Sequence, residues 1–389
     1  MKVYLDNAAT TQLDPQVLRA MMPYLKGSFG NPMSVHQFGA DALAGVDSAR
    51  EQVADFLHCA PREVIFTSGA TESNNLALKG IIDAYKGDIL PHIIISAIEH
   101  HCVLETAQYL EKKKLAEVSY IKPDRCGIIA VKDVLASIKK NTILISLMYV
   151  NNEIGSIQPI AEIGKKLKKL KQKIYFHTDA VQAANYLNCD VQKLGVDLLS
   201  FSGHKIFGPK GVGVLYVWQG VKINKIQHGG EQEFKLRAGT HNVPGIVGLG
   251  KAVELIKKRS KKESQKIKAL RDYLWLNINK KIPKVMLNGD NKNTSPHILN
   301  VSFKNIEGEG ILISLDMEGV AVSTGSACSS GSLEASHVML AISRGDHLRA
   351  HSSVRFSLSH HTKKTDINYL LKILPSIVSD LRKISPFKD

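Results

Sequence analysis

Short apolar runs alternate with longer amphipathic segments along the first two thirds of the chain. Residues 64–67, 92–96 and 142–150 are rich in β-branched side chains, and each run precedes a segment with helical spacing. Residues 174–178 and 196–202 continue the series of predicted strands. This alternation predicts an α/β fold with a mostly parallel sheet covered by helices, in which ligands are held at the carboxyl ends of the strands.

The pattern changes in the last third of the chain. A long helical pattern begins near Gly245 and continues to about Lys281, and a shorter set of strand and helix patterns follows it. A chain of 389 residues is also too long for one ordinary core. We therefore expect a large domain of residues 15–255 and a smaller α/β domain formed by residues 1–14 and 256–389.

Composition narrows the class of protein. The chain is 44% hydrophobic and 22% charged, which is typical of a globular protein. Its five cysteines are odd in number and widely spaced, without a Cys-x-x-Cys pair, which argues against a disulfide framework or a structural zinc site. No apolar run approaches membrane-spanning length, and we expect no leader before the first predicted strand. A cytoplasmic protein that binds no membrane is the expectation.

The chain carries a formal charge of +15, from 51 basic and 36 acidic side chains. Much of the excess lies in two runs with helical spacing, residues 165–173 and 257–268. In the first run, Ile163, Leu167 and Leu170 form an apolar stripe, so the lysines fit the solvated faces of an amphipathic helix. These runs lack interleaved aromatic residues and any nucleic-acid-binding motif, so no direct nucleic-acid partner is expected.

Lys205 lies in the segment Ser200–Gly211, between two predicted strands. Glycines allow tight turns and leave room for a ligand, and burial beside a cation lowers the pKa of a lysine. A neutral amine can form a Schiff base with an aldehyde. The alternative is a surface hairpin that carries an incidental lysine.

Two other strand ends have candidate binding groups. Residues 67–75 pass from a strand into a helix through Gly69, and the helix start suits a phosphate, although an ordinary helix cap is the alternative. Asp179 follows an apolar strand, where a poorly hydrated carboxylate requires a cationic partner. A protonated pyridine nitrogen would satisfy it, and so would a structural salt bridge.

Further polar residues follow predicted strands. His100 could stack on a planar ring and move protons, or it could be a hydrogen-bonded loop histidine. Asn152 belongs to a cluster of polar groups after the next strand. Arg355 has apolar neighbours in residues 353–357, so it could clamp a carboxylate at two points or form a buried ion pair.

Cys328 lies in a segment of unusual composition. Residues 323–332 hold five serines, one threonine and two glycines around this single thiol. A flexible polar loop is the setting of a reactive cysteine, whereas most cysteines are buried and inert. We interpret Cys328 as a nucleophile on a mobile loop of about residues 323–333.

Taken together, these segments resemble the cysteine desulfurases, which are pyridoxal-phosphate (PLP) enzymes of fold type I, in the nitrogen-fixation and housekeeping subgroup of the class-V aminotransferases. The likeness extends over the whole chain. It is carried by Tyr4–Thr11, Gly30–His36, Thr67–Asn75, Asn151–Gly155, Ser200–Lys210, Arg237–Thr240, Gly325–Ser332 and Ser352–Leu358.

The resemblance implies a cofactor site for PLP. Lys205 would hold the cofactor as a Schiff base, Asp179 would pair with the pyridine nitrogen, Gln182 with the ring hydroxyl, and His100 would stack on the ring. Thr240 is the position that reaches the phosphate of the neighbouring subunit, which implies a homodimer. The phosphate would be bound by Ala70, Thr71, Ser202 and His204.

The resemblance also implies the reaction. Asn152, beside the cofactor, and Arg355 would hold the carboxylate of L-cysteine, and Lys205 would remove the α-proton. Cys328 would take the sulfur as a persulfide, leaving L-alanine, and deliver it to an acceptor protein for iron–sulfur cluster assembly or tRNA thiolation. No resident metal site is expected, although Cys328 would be placed to ligate an iron–sulfur cluster transiently with a scaffold partner.

The sequence departs from the family pattern in places. Family members commonly have Gly-Gly-Gly-Gln-Glu-x-Gly where this chain has Gly229-Gly230-Glu231-Gln232-Glu233-Phe234-Lys235, so the shape of that loop is in doubt. Housekeeping members use a longer C-terminal tail to dock a scaffold, and because no such tail is expected after Leu381-Arg382-Lys383, the choice of scaffold partner stays open. Two alternatives stay open: a selenocysteine lyase or other class-V aminotransferase, and a basic RNA-binding or scaffold protein without catalysis.

Overall fold

The structure is a computed structural model, and it describes residues 2–324 and 335–387. The strands are β1 (Val3–Tyr4), β2 (Val64–Thr67), β3 (His92–Ser96), β4 (Glu117–Ile121), β5 (Thr142–Ser146), β6 (Tyr175–Asp179), β7 (Leu198–Ser202), β8 (Gly213–Val217), β9 (Val285–Asn288), β10 (Ile298–Phe303), β11 (Val320–Ala321) and β12 (Ser353–Ser357).

The helices cover both faces of the strands. They are α1 (Pro15–Lys26), α2 (Gln37–Leu57), α3 (Ala70–Ala84), α4 (His101–Lys112), α5 (Val131–Ala136), α6 (Ile160–Leu167), α7 (Val191–Leu194), α8 (Val243–Lys281), α9 (Gly308–Met317), α10 (His337–Ser343), α11 (His347–His351) and α12 (Lys364–Ile384).

Seven strands form the large sheet, in the order β2-β8-β7-β6-β5-β3-β4. Strands β4, β3, β5, β6 and β7 are parallel, and β8 pairs antiparallel with both β7 and β2. Buried apolar runs such as that of β3 are typical of strands covered on both faces. The predicted mixed α/β fold with a mostly parallel sheet is confirmed.

A second, smaller sheet has the order β12-β10-β9 and is antiparallel. The N-terminal segment lies beside it, because Asp6 forms an isolated bridge with Ser357 of β12, and β1 pairs with β11 in a separate two-stranded sheet. These contacts bring residues from the two ends of the chain beside each other and close to the carboxyl ends of the large sheet.

Helix α8 contributes to two hydrophobic cores. Its buried residues up to Ile256 pack in the core that contains α2 and one face of the large sheet, whereas those from Ile267 pack with β10, β12 and α12. Asn242 caps the first turn through its side chain, and Pro244 occupies a position where no intrahelical N–H is needed. The domain boundary at residue 255 stays a prediction.

The helix expected across residues 165–173 is shorter than its pattern suggested. Helix α6 ends at Leu167, and the third member of the expected apolar stripe, Leu170, is exposed. A short helix in water is stabilised mainly by packing of its apolar face. Because Leu170 is not buried, residues 168–173 lack that packing. Within the described residues, every helix is too short or too polar to cross a bilayer.

Candidate active site

A cavity of about 580 Å³ opens at the carboxyl ends of the central strands of the large sheet. Its wall includes backbone from the N-terminal segment as well as the turns that follow β2, β6 and β7. Ten of the predicted site residues line it: Ala70, Thr71, His100, Asn152, Asp179, Gln182, Ser202, His204, Lys205 and Arg355. Residues more than 280 positions apart therefore line one cavity.

Lys205 lies in a single 3-10 turn (Gly203–Lys205) directly after β7. Its Nζ donates hydrogen bonds to the carbonyl oxygens of Ala8, at 2.6 Å, and Ala9, at 2.7 Å. Strands β7 and β8 are antiparallel, as in a hairpin, but every residue of both is buried within the sheet. The surface-hairpin alternative for Lys205 is therefore wrong.

The start of α3 forms one end of the cavity. Its N-cap residue is Gly69, which offers no side chain to accept hydrogen bonds from the first turn, so those N–H groups can face an anion. A Cβ on Gly213 would lie 2.7 Å from the Cα of Gly69, so only glycine lets β8 approach this turn so closely. Ser202 and His204 line the same end of the cavity.

His204 is a neutral donor or acceptor at this end of the cavity. Burial, with the positive charges of Lys205 and Lys210 nearby, lowers its pKa to about 4. Its Nδ1 lies 3.2 Å from Oγ1 of Thr10. The ring therefore carries one proton at neutral pH, with one nitrogen engaged by the N-terminal segment.

Asp179 is a buried carboxylate at the end of β6, only 5% exposed. Oδ2 accepts a hydrogen bond from Nδ2 of Asn74 at 2.7 Å, and Oδ1 accepts from the backbone N–H of Val181 at 2.9 Å. Both donors are neutral, and within the described residues no cationic side chain forms an ion pair with Asp179. A cationic group entering the cavity would supply the missing charge.

His100 caps helix α4, because its Nδ1 accepts the backbone N–H of Cys102 at 3.2 Å. Burial lowers the pKa of His100, so the ring is neutral. Since Nδ1 is an acceptor, the single proton lies on Nε2. The thiol of Cys102 lies 3.1 Å from Nδ1 and also lines the cavity.

Arg355, in β12, is 3% exposed and has two partners. One guanidinium nitrogen (Nη2) pairs with Oδ1 of Asp6 at 2.8 Å, and Nη1 donates to the backbone oxygen of Asn152 at 2.9 Å. Its Nε is buried and, within the described part of the chain, has no hydrogen-bond partner. The buried ion pair considered as an alternative exists, and the same side chain lines the cavity.

Thr240 does not line the cavity and is exposed. Three residues earlier, Arg237 forms an ion pair with Glu72 in the first turn of α3, with Nε 2.8 Å from Oε1. Upstream, Glu233, Phe234 and Lys235 all have positive φ angles, of 45°, 54° and 70°. The doubt about this loop was warranted, because a lysine here occupies a left-handed conformation that favours glycine.

Glu233 holds this loop in place. Its carboxylate is 4% exposed and accepts hydrogen bonds from Arg50, from the backbone N–H of Phe66 at 2.8 Å, and from Nε2 of His241 if that nitrogen carries the proton (2.7 Å). These contacts, led by the hydrogen bonds from His241 and Arg50, keep the pKa of Glu233 below its usual range despite burial.

Cys328 lies outside the described residues, as does the rest of 325–334. The described residues on either side of that segment adjoin the cavity wall. Ser323 forms an antiparallel bridge with Arg355, and Oγ of Ser336 donates to the carboxylate of Glu153, the neighbour of Asn152. Burial raises the pKa of Glu153 to about 7.

Sequence analysis missed several residues that position this site. Asn74 orients Asp179, Asp6 pairs with Arg355, and Cys102 contacts both His100 and Asn74. An asparagine on the buried face of a helix was the signal available for Asn74. Nothing local marks Asp6, because its partner is 349 positions away.

The chain matches the family described as aminotransferase class-V over residues 3–370. That match covers most of the chain, so the protein belongs to the class-V aminotransferase family.

Relatives place it more narrowly within that family. It is 50% identical over 389 residues to a protein named cysteine desulfurase IscS from Dictyoglomus turgidum, covering 100% of this chain and 97% of that one. Among solved structures, a NifS-like protein superposes with a TM-score of 0.92 at 36% identity, covering 98% of this chain and all of that one. SspA in complex with cysteine has a TM-score of 0.82 at 37% identity, covering 93% and 100%. The expected membership of the cysteine desulfurases is confirmed.

Proposed function

We propose that the protein is a PLP-dependent cysteine desulfurase, which converts L-cysteine to L-alanine and transfers the sulfur as a persulfide on Cys328. One observation carries the proposal: a half-buried amine, Lys205, and a buried carboxylate without a cationic partner in the described residues, Asp179, line the same 580 Å³ cavity. The full-length similarity to proteins named cysteine desulfurase supports the same conclusion.

The residues of the cavity fit PLP. The uncapped start of α3, with Ser202 and neutral His204 beside it, suits a phosphate. Asp179 lacks the positive charge that a protonated pyridine would bring, and the amine of Lys205 can bond to an aldehyde. Bound to Lys205, PLP would supply an electron sink that acidifies the α-carbon of an amino acid.

The chain's own groups would bind and orient the substrate. Arg355 would attract the carboxylate of L-cysteine, since its charged side chain lines the cavity. Asn152 lines the cavity beside it. Once free, Lys205 would carry the α-proton, and neutral His100 would offer its Nε2–H to the cavity.

Cys328 is proposed as the sulfur acceptor. Its thiolate would bond to the sulfur of L-cysteine while the bond between that sulfur and Cβ breaks, and the electron pair left on Cβ would take up a proton to give alanine. The thiol is converted to a persulfide without any external oxidant. The bridge between Ser323 and Arg355 places a described residue, five positions before Cys328, beside the arginine proposed to bind the substrate carboxylate.

We propose a homodimer in which Thr240 reaches the phosphate of the neighbouring subunit. Its exposure, with the neighbouring Arg237 fastened to Glu72, supports that role. Exposed apolar side chains between α1 and α2, and at the start of α2, would gain from burial in such an interface. They are Phe29, Met33, Val35 and Phe38.

The persulfide is proposed to pass to an acceptor protein that serves iron–sulfur cluster assembly or tRNA thiolation. Cytoplasm is the proposed compartment, because Cys59, Cys102, Cys126 and Cys189 are all free thiols. The described residues contain no group of three or more side chains suited to holding a metal ion. Neither a membrane nor a nucleic acid is proposed as a direct partner.

The test is to supply purified, PLP-loaded protein with L-cysteine and a reducing thiol, and to measure alanine and sulfide. We expect equal amounts of both products, loss of sulfide in Cys328→Ala with the cysteine-induced change of the cofactor absorption retained, and loss of visible absorption in Lys205→Ala. A yellow, active Lys205→Ala protein would overturn the assignment. Sulfide release unchanged by Cys328→Ala would favour another enzyme on this scaffold, such as a selenocysteine lyase.

A further inference from the structure

Gln182 lies in the turn after β6 and lines the cavity beside Lys205. Its Nε2 donates to the carbonyl oxygen of Ala8 at 2.9 Å, the same oxygen that accepts from Nζ of Lys205. A backbone carbonyl only accepts hydrogen bonds, so the amide nitrogen, not the amide oxygen, faces Ala8. The orientation of the Gln182 amide is therefore fixed at that end.

The amide oxygen of Gln182 faces His297. Oε1 lies 3.2 Å from Nε2 of His297, a residue directly before β10 that is 2% exposed and lies outside the cavity wall. An amide oxygen cannot donate, so Nε2 of His297 must carry the proton. The ring is held by stacking on Tyr186, with ring centres 4.1 Å apart and planes inclined by 22°.

The other ring nitrogen completes the chain of hydrogen bonds. Nδ1 of His297 lies 2.6 Å from Oγ of Ser295. Burial and the charges of Arg355, Arg271 and Lys205 lower the pKa of His297 to about 3, so the ring carries a single proton, on Nε2. Nδ1 therefore accepts, and the hydroxyl of Ser295 donates to it. Donor and acceptor are therefore fixed in each hydrogen bond of the chain Ser295–His297–Gln182–Ala8.

We propose that His297 is a positioning residue that holds the Gln182 amide with its N–H groups toward the cavity, where the second N–H donates to the ring oxygen of the bound cofactor. This inference rests on the proposed function, because it assigns the ring hydroxyl of PLP to Gln182. In the described residues, that second N–H has no acceptor. Without His297, the amide oxygen loses its donor, and only the hydrogen bond to Ala8 opposes rotation of the amide.

The consequence is measurable in the holoenzyme. A donated N–H stabilises the deprotonated ring oxygen, so its loss should raise the pH at which the visible absorption band of the loaded protein changes. Loss of one hydrogen bond to a charged oxygen corresponds to a rise of about one pH unit. Retention of PLP during dialysis should fall several-fold in parallel.

Two variants with side chains of similar size test whether the hydrogen-bond donor of His297 is what positions Gln182. His297→Gln can place an N–H near Oε1 of Gln182, and His297→Met fills a similar volume without a donor, while both lose the stacking on Tyr186. We expect His297→Gln to titrate like the unaltered protein and His297→Met to shift upward by about one unit. His92→Ala removes another buried histidine, bonded to Thr142 and Ser119 away from the cavity, and should leave the titration unchanged.

A His297→Met protein that folds, binds PLP and titrates like the unaltered protein would overturn the inference and leave the proposed function intact. Unaltered protein that develops no visible band with added PLP would instead refute the proposed function. If His297→Met does not fold, Ser295→Ala replaces it, because loss of the donated hydroxyl lets the ring proton move to Nδ1. An upward shift in Ser295→Ala supports the proposal, and an unchanged midpoint refutes it.

Discussion

Asp6 and Arg355 form an ion pair of 2.8 Å across 349 positions of the chain, at the wall of the cavity. The arginine is nearly fully buried, and its second hydrogen bond goes to the backbone oxygen of Asn152. Asp6 therefore fixes the direction of the guanidinium that we propose for binding the substrate carboxylate. A two-point interaction with a carboxylate depends on that direction.

Replacing Asp6 should affect substrate binding more than turnover. We expect Asp6→Ala to raise KM for L-cysteine about tenfold with a smaller change in kcat, because the guanidinium loses one of its two anchors. Asp6→Asn keeps an oxygen in the same place and should raise KM less. Steady-state kinetics of alanine formation measures both.

Asp380→Asn is the matched control for Asp6, because it removes an exposed ion pair with Lys383 on the surface of α12. It should leave KM and kcat unchanged. If Asp6→Ala instead lowered kcat alone, Asp6 would act on the chemical step and not through the carboxylate of the substrate.

Asn74 should control cofactor affinity through Asp179. Its Nδ2 donates to Oδ2 of Asp179 at 2.7 Å, so Asn74→Ala leaves a buried carboxylate oxygen without its donor. We expect PLP to dissociate about tenfold more readily, followed by the loss of visible absorption during dialysis. The control is Asn277→Ala, since the side-chain hydrogen bond of Asn277 among the described residues goes to the carbonyl of Tyr273, one turn earlier in α8. Equal retention of PLP in both variants would contradict this role for Asn74.

Lys235 should be a position where glycine stabilises the protein. Its φ of 70° costs a non-glycine residue about 1 kcal/mol, and its ion pair with Glu231 is exposed and contributes little. We therefore expect Lys235→Gly to raise the free energy of unfolding by up to about 1 kcal/mol, measured by urea denaturation with the cofactor bound. Lys225→Gly, at a loop residue outside the left-handed region, should lower it. A loss of stability in both variants would show that the loop is not strained.

Local pattern was enough to locate several strands of the large sheet, although it did not predict β4. The bounds of β2 and β3 agree with the predicted runs 64–67 and 92–96 to the residue, because each buried apolar run ends at a polar residue. Lys205 and Asp179 were singled out as candidate site residues because a charged side chain directly after a buried apolar strand requires a partner or a ligand. The roles assigned to them came from family resemblance and stay proposals.

Residues that act through another residue could not be found in this way. His297 and Asp6 are significant only because folding brings them to Gln182 and Arg355, and no spacing in the sequence encodes those contacts. The helix expected over residues 165–173 was too long for a similar reason. Periodicity places Leu170 on the apolar side of the expected helix, but its burial depends on whether another element packs against it, and in the described structure Leu170 is exposed.

Glu99 should make the stability of the protein depend on pH. The carboxyl group is fully buried, and burial raises its pKa from 4.5 to about 8. Oε1 accepts hydrogen bonds from Oγ of Ser96 and the backbone N–H of Met148, whereas Oε2 has no partner within the described residues. The folded protein therefore retains a proton that the unfolded chain releases near pH 4.5.

The sign of the effect follows from that difference. Between about pH 4.5 and 8 the folded state binds more protons, so Glu99 contributes stability below pH 4.5 that is lost as the pH rises through 8. The slope for one such group is at most about 1.4 kcal/mol per pH unit. Glu99→Gln resembles the protonated carboxyl and should flatten this decline, measured by urea denaturation from pH 5 to 9.

Glu117→Gln, at a carboxyl on β4 that pairs with Lys139, is the control and should keep the decline. Parallel stability curves for Glu99→Gln and the unaltered protein would show that Glu99 is ionised in the folded state.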